Sequence, residues 1–279
     1  ADFEEYLYYK TRLLNMCGIG LVNKDDEHAP QIIKAANCEL YTYSEESKEA
    51  DFVASDIRYV SQPDFVGTEF HISGKYDMEV RLGIPGLFNV VNALAAVSVC
   101  SFLGLDQARI SHALENIRVN GRMEIVYTSE RCTVLVDYAH NAVSMESLLS
   151  TLRDYKPKRL VCVFGCGGNR SKDRRYSMGE IGGKMADLSI ITADNSRYEK
   201  VEDIIADIRG SIEKTGGKFI EIPDRREAIR YSILHAQPGD MVAVIGKGHE
   251  DYQEINGVRH HFLDREVIEE TVKELGEKA

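Results

Sequence analysis

The sequence predicts an α/β protein whose second half is a doubly wound, Rossmann-like sheet. Three observations carry that reading. From Val134 onward, apolar runs alternate strictly with helical segments, the pattern of parallel strands linked by long crossovers. Each run stops abruptly at polar or glycine-rich residues, as strands do where open α/β sheets bind ligands. Between Phe52 and Leu82, short stretches alternate loosely with turn residues between them, which reads as short antiparallel strands.

Taken in order, residues 2–15 read as a helix. Phe3, Tyr6, Leu7, Leu13 and Leu14 fall on one stripe, and Lys10 falls on it where the period calls for an apolar residue. A lysine there either snorkels past its neighbours or is held in a site where desolvation favours its neutral form. CGIGLVNKDD is a strand ending in Asn23, Asp25 and Asp26. A helix over 30–36 and a strand over 38–43 follow, then short strands over 52–60, 68–73 and 78–82. GIPGLFN turns into a helix with Asn89 at its start and Asn92 inside it. Such asparagines are either caps or amide groups presented to a nucleotide base. Residues 93–102 are small and apolar, so this helix is predicted to be buried. Gly104 ends it, and Asp106 caps a helix over 107–117.

The pattern breaks at RVNGRM, residues 118–123, which sets two domains, 1–119 and 120–279. In the second, strands are predicted over 133–137, 160–164, 188–192, 218–222 and 241–245. Helices are predicted over 142–154, 178–186, 201–214, 225–235 and 266–276. The strand ends read Asp137/His140, GCGGNR, ADNSR, PDRR and GKGHED. Each alone is weak: DRR suits a helix cap, GKGHE a plain loop, and GCGG misses the GxGxxG spacing. Five such ends on one sheet edge read as one composite site. Arg170, Lys172, Arg174 and Arg175 form a basic cluster, either a solvated loop or a carboxylate or phosphate clamp.

Composition narrows the classes. The chain has 279 residues, enough for two domains, and ordinary apolar and charged fractions. No apolar run approaches the roughly 20 residues of a membrane span, and ADFEEYLYYK has no signal-peptide pattern. The net charge of −11 argues against non-specific nucleic-acid binding. Six scattered cysteines without CxxC indicate neither a disulfide framework nor a zinc site, and Cys162 reads as a small buried hydrophobe. A cytoplasmic location is expected. No GxxxxGK[ST] loop occurs, so the first half is expected to begin mid-fold.

Seven stretches in order, GLFNVVNALAA, NGRME, VLVDYAHN, VFGCGGNR, ADNSR, PDRREAI and GKGHEDYQ, resemble the Mur ligase family. Its members are ATP-dependent amide ligases of peptidoglycan precursor synthesis. The resemblance covers nearly the whole chain and implies the later part of a central ATP-binding domain followed by the whole C-terminal, amino-acid-binding domain. It implies that a UDP-binding domain and a phosphate-binding loop lie upstream, and that this chain alone is inactive. Within the family the motifs are most similar to members that add a diamino acid to UDP-MurNAc-L-Ala-D-Glu through an acyl phosphate, with ATP and Mg²⁺.

Residue by residue, the resemblance implies that Lys10 is the lysine the family carbamylates, a Mg²⁺ ligand once modified. It puts Asn23, Asn89, Asn92, Arg122, Asp137, Tyr138 and His140 near ATP, with Asp137 on the ribose and Arg122 on a phosphate. It gives Arg175, Asp194, Asn195, Arg197, Gly246 and Glu250 to the incoming amino acid. The implied partners are UDP-MurNAc-dipeptide and a diamino acid, meso-diaminopimelate by preference, with no nucleic acid and no membrane. Two positions depart from the usual pattern: Ser196 stands where Asp-Asn-Pro-Arg has proline, and GGNRS stands for GGDRD. A paralogue using another amino acid and a non-catalytic amino-acid-binding module stay open. A nucleotide-dependent oxidoreductase is a rival suggested only by the glycine turn and the sheet.

Overall fold

A computed structural model describes residues 2–276. They form two compact units, one running to Tyr59 and resuming over Gly67–Ile117, the other made of Val60–Val66 and the chain from Arg118 onward.

The first unit contains α1 (Phe3–Thr11), β1 (Ile19–Asn23), α2 (Ala29–Ala35), β2 (Glu39–Ser44), most of β3 (Phe52–Gln62) and of β4 (Phe65–Gly74), β5 (Met78–Leu82), α3 (Leu87–Phe102) and α4 (Gln107–Asn116). Its sheet runs β1-β2-β3-β4-β5. β1, β2 and β3 are parallel and β4 pairs antiparallel with β5. Alternate residues Phe70, Ile72, Val80 and Leu82 pack against Val90, Leu94 and Val97 of α3 and Ile110 and Leu114 of α4. Asp106 accepts from the Arg109 N–H, the expected cap of α4.

The opening helix differs from its prediction. α1 ends at Thr11, and Arg12–Asn15 is a 3₁₀ turn. Of the apolar stripe, Phe3, Tyr6 and Leu13 are 52%, 55% and 67% exposed. Only Leu14 is buried, in a small cluster with Val22 and Ala29. The cluster is too small to cover a whole helix face, so helical spacing here does not translate into burial.

The second unit contains β6 (Glu124–Thr128), β7 (Cys132–Asp137), α5 (Ala142–Asp154), β8 (Arg159–Phe164), α6 (Asp173–Met185), β9 (Leu188–Ile191), α7 (Val201–Thr215), β10 (Phe219–Glu221), α8 (Arg225–Leu234), β11 (Asp240–Ile245), β12 (Tyr252–Ile255), β13 (Val258–His261) and α9 (Asp264–Glu274). The main sheet runs β10-β9-β8-β11-β7-β6. Its pairs are parallel except β6 with β7. The chain winds outward from β7 through β8, β9 and β10, then returns to insert β11 between β8 and β7.

Because strand side chains alternate, Val134, Val136, Val161, Val163, Val242 and Val244 share one core with Ile229 and Ile233 of α8 and Val267, Ile268 and Val272 of α9. The intervening Leu135, Cys162 and Ala243 are equally buried, as are Met145 and Leu149 of α5, Met178 of α6 and Ile208 and Ile212 of α7. α5, α6 and α7 pack in succession. The result is the doubly wound sheet the alternation predicts.

Three features were not predicted: the antiparallel edge strand β6, the β12–β13 hairpin, and the start of α6 at Asp173, five residues early. Each lacks an apolar period. β13 is Val-Arg-His-His and exposed throughout, and the first turn of α6 is Asp-Arg-Arg.

Candidate active site

At the carboxyl ends of β7, β8, β9 and β11 lies a cavity of about 310 Å³, lined by Tyr138, His140, Gly165, Cys166, Gly167, Arg170, Arg174, Asp194, Asn195, Arg197, Gly246 and Glu250. Four of the five polar strand ends meet there. The β10 end does not. Asp224 caps α8 by accepting from the Glu227 N–H at 3.0 Å. Arg225 is buried, pairs with Asp264, and donates to the carbonyls of Ala193 at 3.2 Å and Ile245 at 3.0 Å. PDRR is therefore a brace behind the site: it ties the ends of β9 and β11, which are separated by β8.

The floor is a polar network. The Asn195 amide donates to Glu250 Oε2 at 2.9 Å, and its carbonyl accepts from the Glu254 N–H at 2.9 Å and from Lys247 Nζ at 3.2 Å. Lys247 is fully buried; its ammonium also lies 3.4 Å from Glu250 Oε2 and 5.3 Å from the centre of the Tyr252 ring. Gly246 has φ +112°, and a Cβ there would stand 2.8 Å from Asp194 Oδ2. A side chain would be strained there and would push on Asp194. Gly168 packs so closely on the strand-end loop that a Cβ would fall 1.9 Å from the Ser196 carbonyl.

The arginines divide by what already holds them. Arg175, expected to touch the amino acid, does not line the cavity. It is buried in the first turn of α6, bonded to Glu199 at 2.8 Å and Asp207 at 2.9 Å. Arg197 lines the cavity with φ +51°, donates to the Gly168 carbonyl at 2.8 Å and pairs with Glu254 at 3.4 Å. Arg170 is exposed and Arg174 half-buried. Among the described residues, no carboxylate or carbonyl takes either guanidinium. The cavity thus offers two unpaired cations beside the carboxylates of Asp194 and Glu250. Sequence had marked Arg170 and Arg174 only as members of a basic cluster, and Lys247 not at all. The GKGHED spacing alone gave Lys247 no distinguishing signal.

Next to the cavity, Asp137 ends β7. Its two carboxylate oxygens accept from the N–H groups of Ala139 at 2.7 Å and Met123 at 2.8 Å. Burial pushes its carboxyl above the usual carboxylate range; those two bonds and the nearby Arg122 guanidinium offset this only in part. Arg122 is exposed and without an ion pair among the described residues. Tyr138 lies between His140 and His249, ring centres 4.8 and 5.4 Å away. In the first unit, Asn23 accepts from the Asp25 N–H at 3.0 Å, and Asn89 donates to the Pro85 carbonyl at 2.6 Å. Asn92 is exposed on α3. Lys10 is exposed, its ammonium 5.4 Å from the centre of the Tyr6 ring.

A model of the Mur ligase middle domain matches residues 1–100, and one of the Mur ligase glutamate ligase domain matches residues 121–248. A UDP-N-acetylmuramoyl-L-alanyl-D-glutamate--2,6-diaminopimelate ligase of Clostridium acetobutylicum is 40% identical over 271 residues, 97% of this chain. This chain belongs to the Mur ligase family. An enzyme of the same printed activity from Trichormus variabilis is 40% identical over 273 residues. The chain spans about half the length of these relatives, 55% and 54%. A solved structure of such a diaminopimelate ligase superposes with a TM-score of 0.79 at 34% identity, over 100% of this chain and 58% of that one. A folylpolyglutamate synthase from Thermotoga maritima shares the fold, with a TM-score of 0.61 at 20% identity. The Mur ligase middle and C-terminal domains are thus both present, as the motifs implied.

ATP, which the family uses, fits these residues in part. Each Asp137 oxygen keeps a lone pair that could accept from a hydroxyl, and the unpaired Arg122 guanidinium could meet an anion. Mg²⁺ takes one or two protein carboxylates beside phosphate oxygens and water. No group of three or more His, Cys, Asp or Glu side chains converges among the described residues, so a dedicated protein cage is not part of this site.

Proposed function

We propose that this chain carries the amino-acid site and part of the nucleotide site of an ATP-dependent amide ligase of peptidoglycan precursor synthesis. The whole enzyme would add meso-diaminopimelate to UDP-MurNAc-L-Ala-D-Glu. The glutamate carboxylate takes the γ-phosphoryl group of ATP, giving an acyl phosphate and ADP. The diaminopimelate amine attacks the acyl carbon, the C–N bond forms, and phosphate leaves with the C–O bond electrons while the nitrogen gives up a proton. Mg²⁺ would offset phosphate charge when bound. Residues 120–279 are the amino-acid-binding domain and 1–119 the later part of the central domain.

The observation that carries this reading is the charge pattern of the cavity. Two guanidiniums without carboxylates, Arg170 and Arg174, line the same cavity as the Asp194 and Glu250 carboxylates. A ligand with two carboxylates and an ammonium complements that set. Arg197 supports the loop and adds a third cation. Asn195 and Gly246 complete the amino-acid site. Arg175 supports it from behind, through Glu199 and Asp207. Asp137, Arg122, Tyr138 and His140 are the second unit's candidates for ATP; Asn23, Asn89 and Asn92 are the first unit's own. Lys10, as a carbamate, would serve the metal.

Calorimetry with meso-diaminopimelate tests this. Arg170→Ala and Arg174→Ala should each weaken binding about ten-fold or more, the size of one lost hydrogen bond to a charged group. Unchanged affinity in both variants, or no binding by the unmutated chain, would overturn it.

A further inference from the structure

We infer that Lys247 is a positioning residue of the amino-acid site: its ammonium fixes the Asn195 amide and the Glu250 carboxylate so that Glu250 reads one ammonium of the ligand. This rests on the proposed amino-acid site. Lys247 is not among the residues that line the strand-end cavity and is fully buried, so it is not placed to meet the ligand itself. A buried lysine charge persists only where it is paired and hydrogen-bonded. Here the partners are Asn195 Oδ1 at 3.2 Å, Glu250 Oε2 at 3.4 Å and the Tyr252 ring face.

These bonds remove the freedom of both neighbours. An asparagine amide has two ends, and either can point at a carboxylate's surroundings. With Lys247 and the Glu254 N–H both donating to Oδ1, only Nδ2 is left to face Glu250, and it donates to Oε2 at 2.9 Å. Oε2 is thereby committed to two donors. Oε1 has one long contact, the Tyr138 hydroxyl at 3.5 Å, and is the oxygen available to a ligand ammonium. Without the lysine charge, the Asn195 amide and the Glu250 carboxylate lose their common anchor, and Oε1 loses its fixed direction.

A ligand comparison separates this from mere support of the fold. meso-Diaminopimelate and 2-aminopimelate share both carboxylates and differ by one ammonium. The unmutated chain should prefer diaminopimelate about ten-fold or more in calorimetry, as one charge-assisted bond implies. Lys247→Met should reduce that preference to about two-fold or less, and so should Asn195→Ser, which breaks the same relay at its other end while keeping the lysine. Thermal unfolding of each variant reports the fold separately. A preference kept in either folded variant, or no preference in the unmutated chain, overturns the role of Lys247. Absence of any diaminopimelate binding by the unmutated chain overturns the amino-acid site instead.

Discussion

Arg225 and Asp264 meet across the second unit in a two-pronged pair, Nε to Oδ1 and Nη2 to Oδ2 at 2.7 Å each, with neither side chain exposed. The same guanidinium holds the carbonyls that precede Asp194 and Gly246, so it couples helix packing to the candidate site. Breaking a buried pair from one side leaves a bare charge and costs about 3–5 kcal/mol, whereas replacing both partners with apolar groups is often neutral. Arg225→Met is therefore expected to lower urea stability by that amount, and Arg225→Met with Asp264→Leu to recover most of it. The double variant should still bind diaminopimelate more weakly than the parent, because the two strand ends have lost their brace.

Acid should loosen the loop behind the cavity. The Asn169 N–H and the Arg175 guanidinium hold Glu199 below the usual carboxylate range. Burial pushes Asp207 up, but bonds from Arg175 and Lys172 outweigh it and leave it low as well. A carboxyl depressed in the fold gives stability that is fully present above its unfolded value, about 4, and lost as pH falls through the folded one. The urea midpoint should thus fall with pH below about 4, and less steeply in Glu199→Gln. Identical acid slopes in the two proteins would count against the pairing.

Much of this organisation was legible beforehand, for a physical reason. Strands such as Leu160 to Phe164 are apolar on both faces and stop where the chain meets the polar edge, so their alternation with helices and the meeting of four of their five ends followed from the pattern. What was not legible depends on partners far away in sequence. Arg175 read as part of a basic loop because Glu199 and Asp207 stand 24 and 32 residues on. Lys247 read as loop because its acceptor, Asn195, is 52 residues back. Nor does spacing reveal whether anything covers a stripe: Phe3 and Tyr6 fit the helical period and are exposed.

Gly246→Ala is a test of the close approach at Asp194. With φ at +112° and a Cβ 2.8 Å from Oδ2, alanine should cost about 1–3 kcal/mol of stability by local strain. It should also weaken diaminopimelate binding, since Asp194 must shift. Full stability and full affinity in this variant would show that the loop has another conformation available.

Thiol chemistry probes the buried sheet. Burial pushes Cys132 up to about 11 and Cys166 up to about 12, and Cys162 higher still. These three are buried, whereas Cys17, Cys38 and Cys100 are half-buried. A thiol-specific disulfide reagent at pH 8 should therefore modify no more than three of the six cysteines in the native chain. Rapid native modification of Cys132, Cys162 or Cys166 would mean the β7–β8 region opens readily.

The central claim is that the cavity at the strand ends reads two carboxylates. Titrating the unmutated chain with meso-diaminopimelate and, separately, with lysine tests it most directly. Lysine lacks the far carboxylate and leaves one of Arg170 and Arg174 unpaired. Diaminopimelate should therefore bind about ten-fold or more tightly than lysine. Equal affinities, or tighter binding of lysine, would contradict the account.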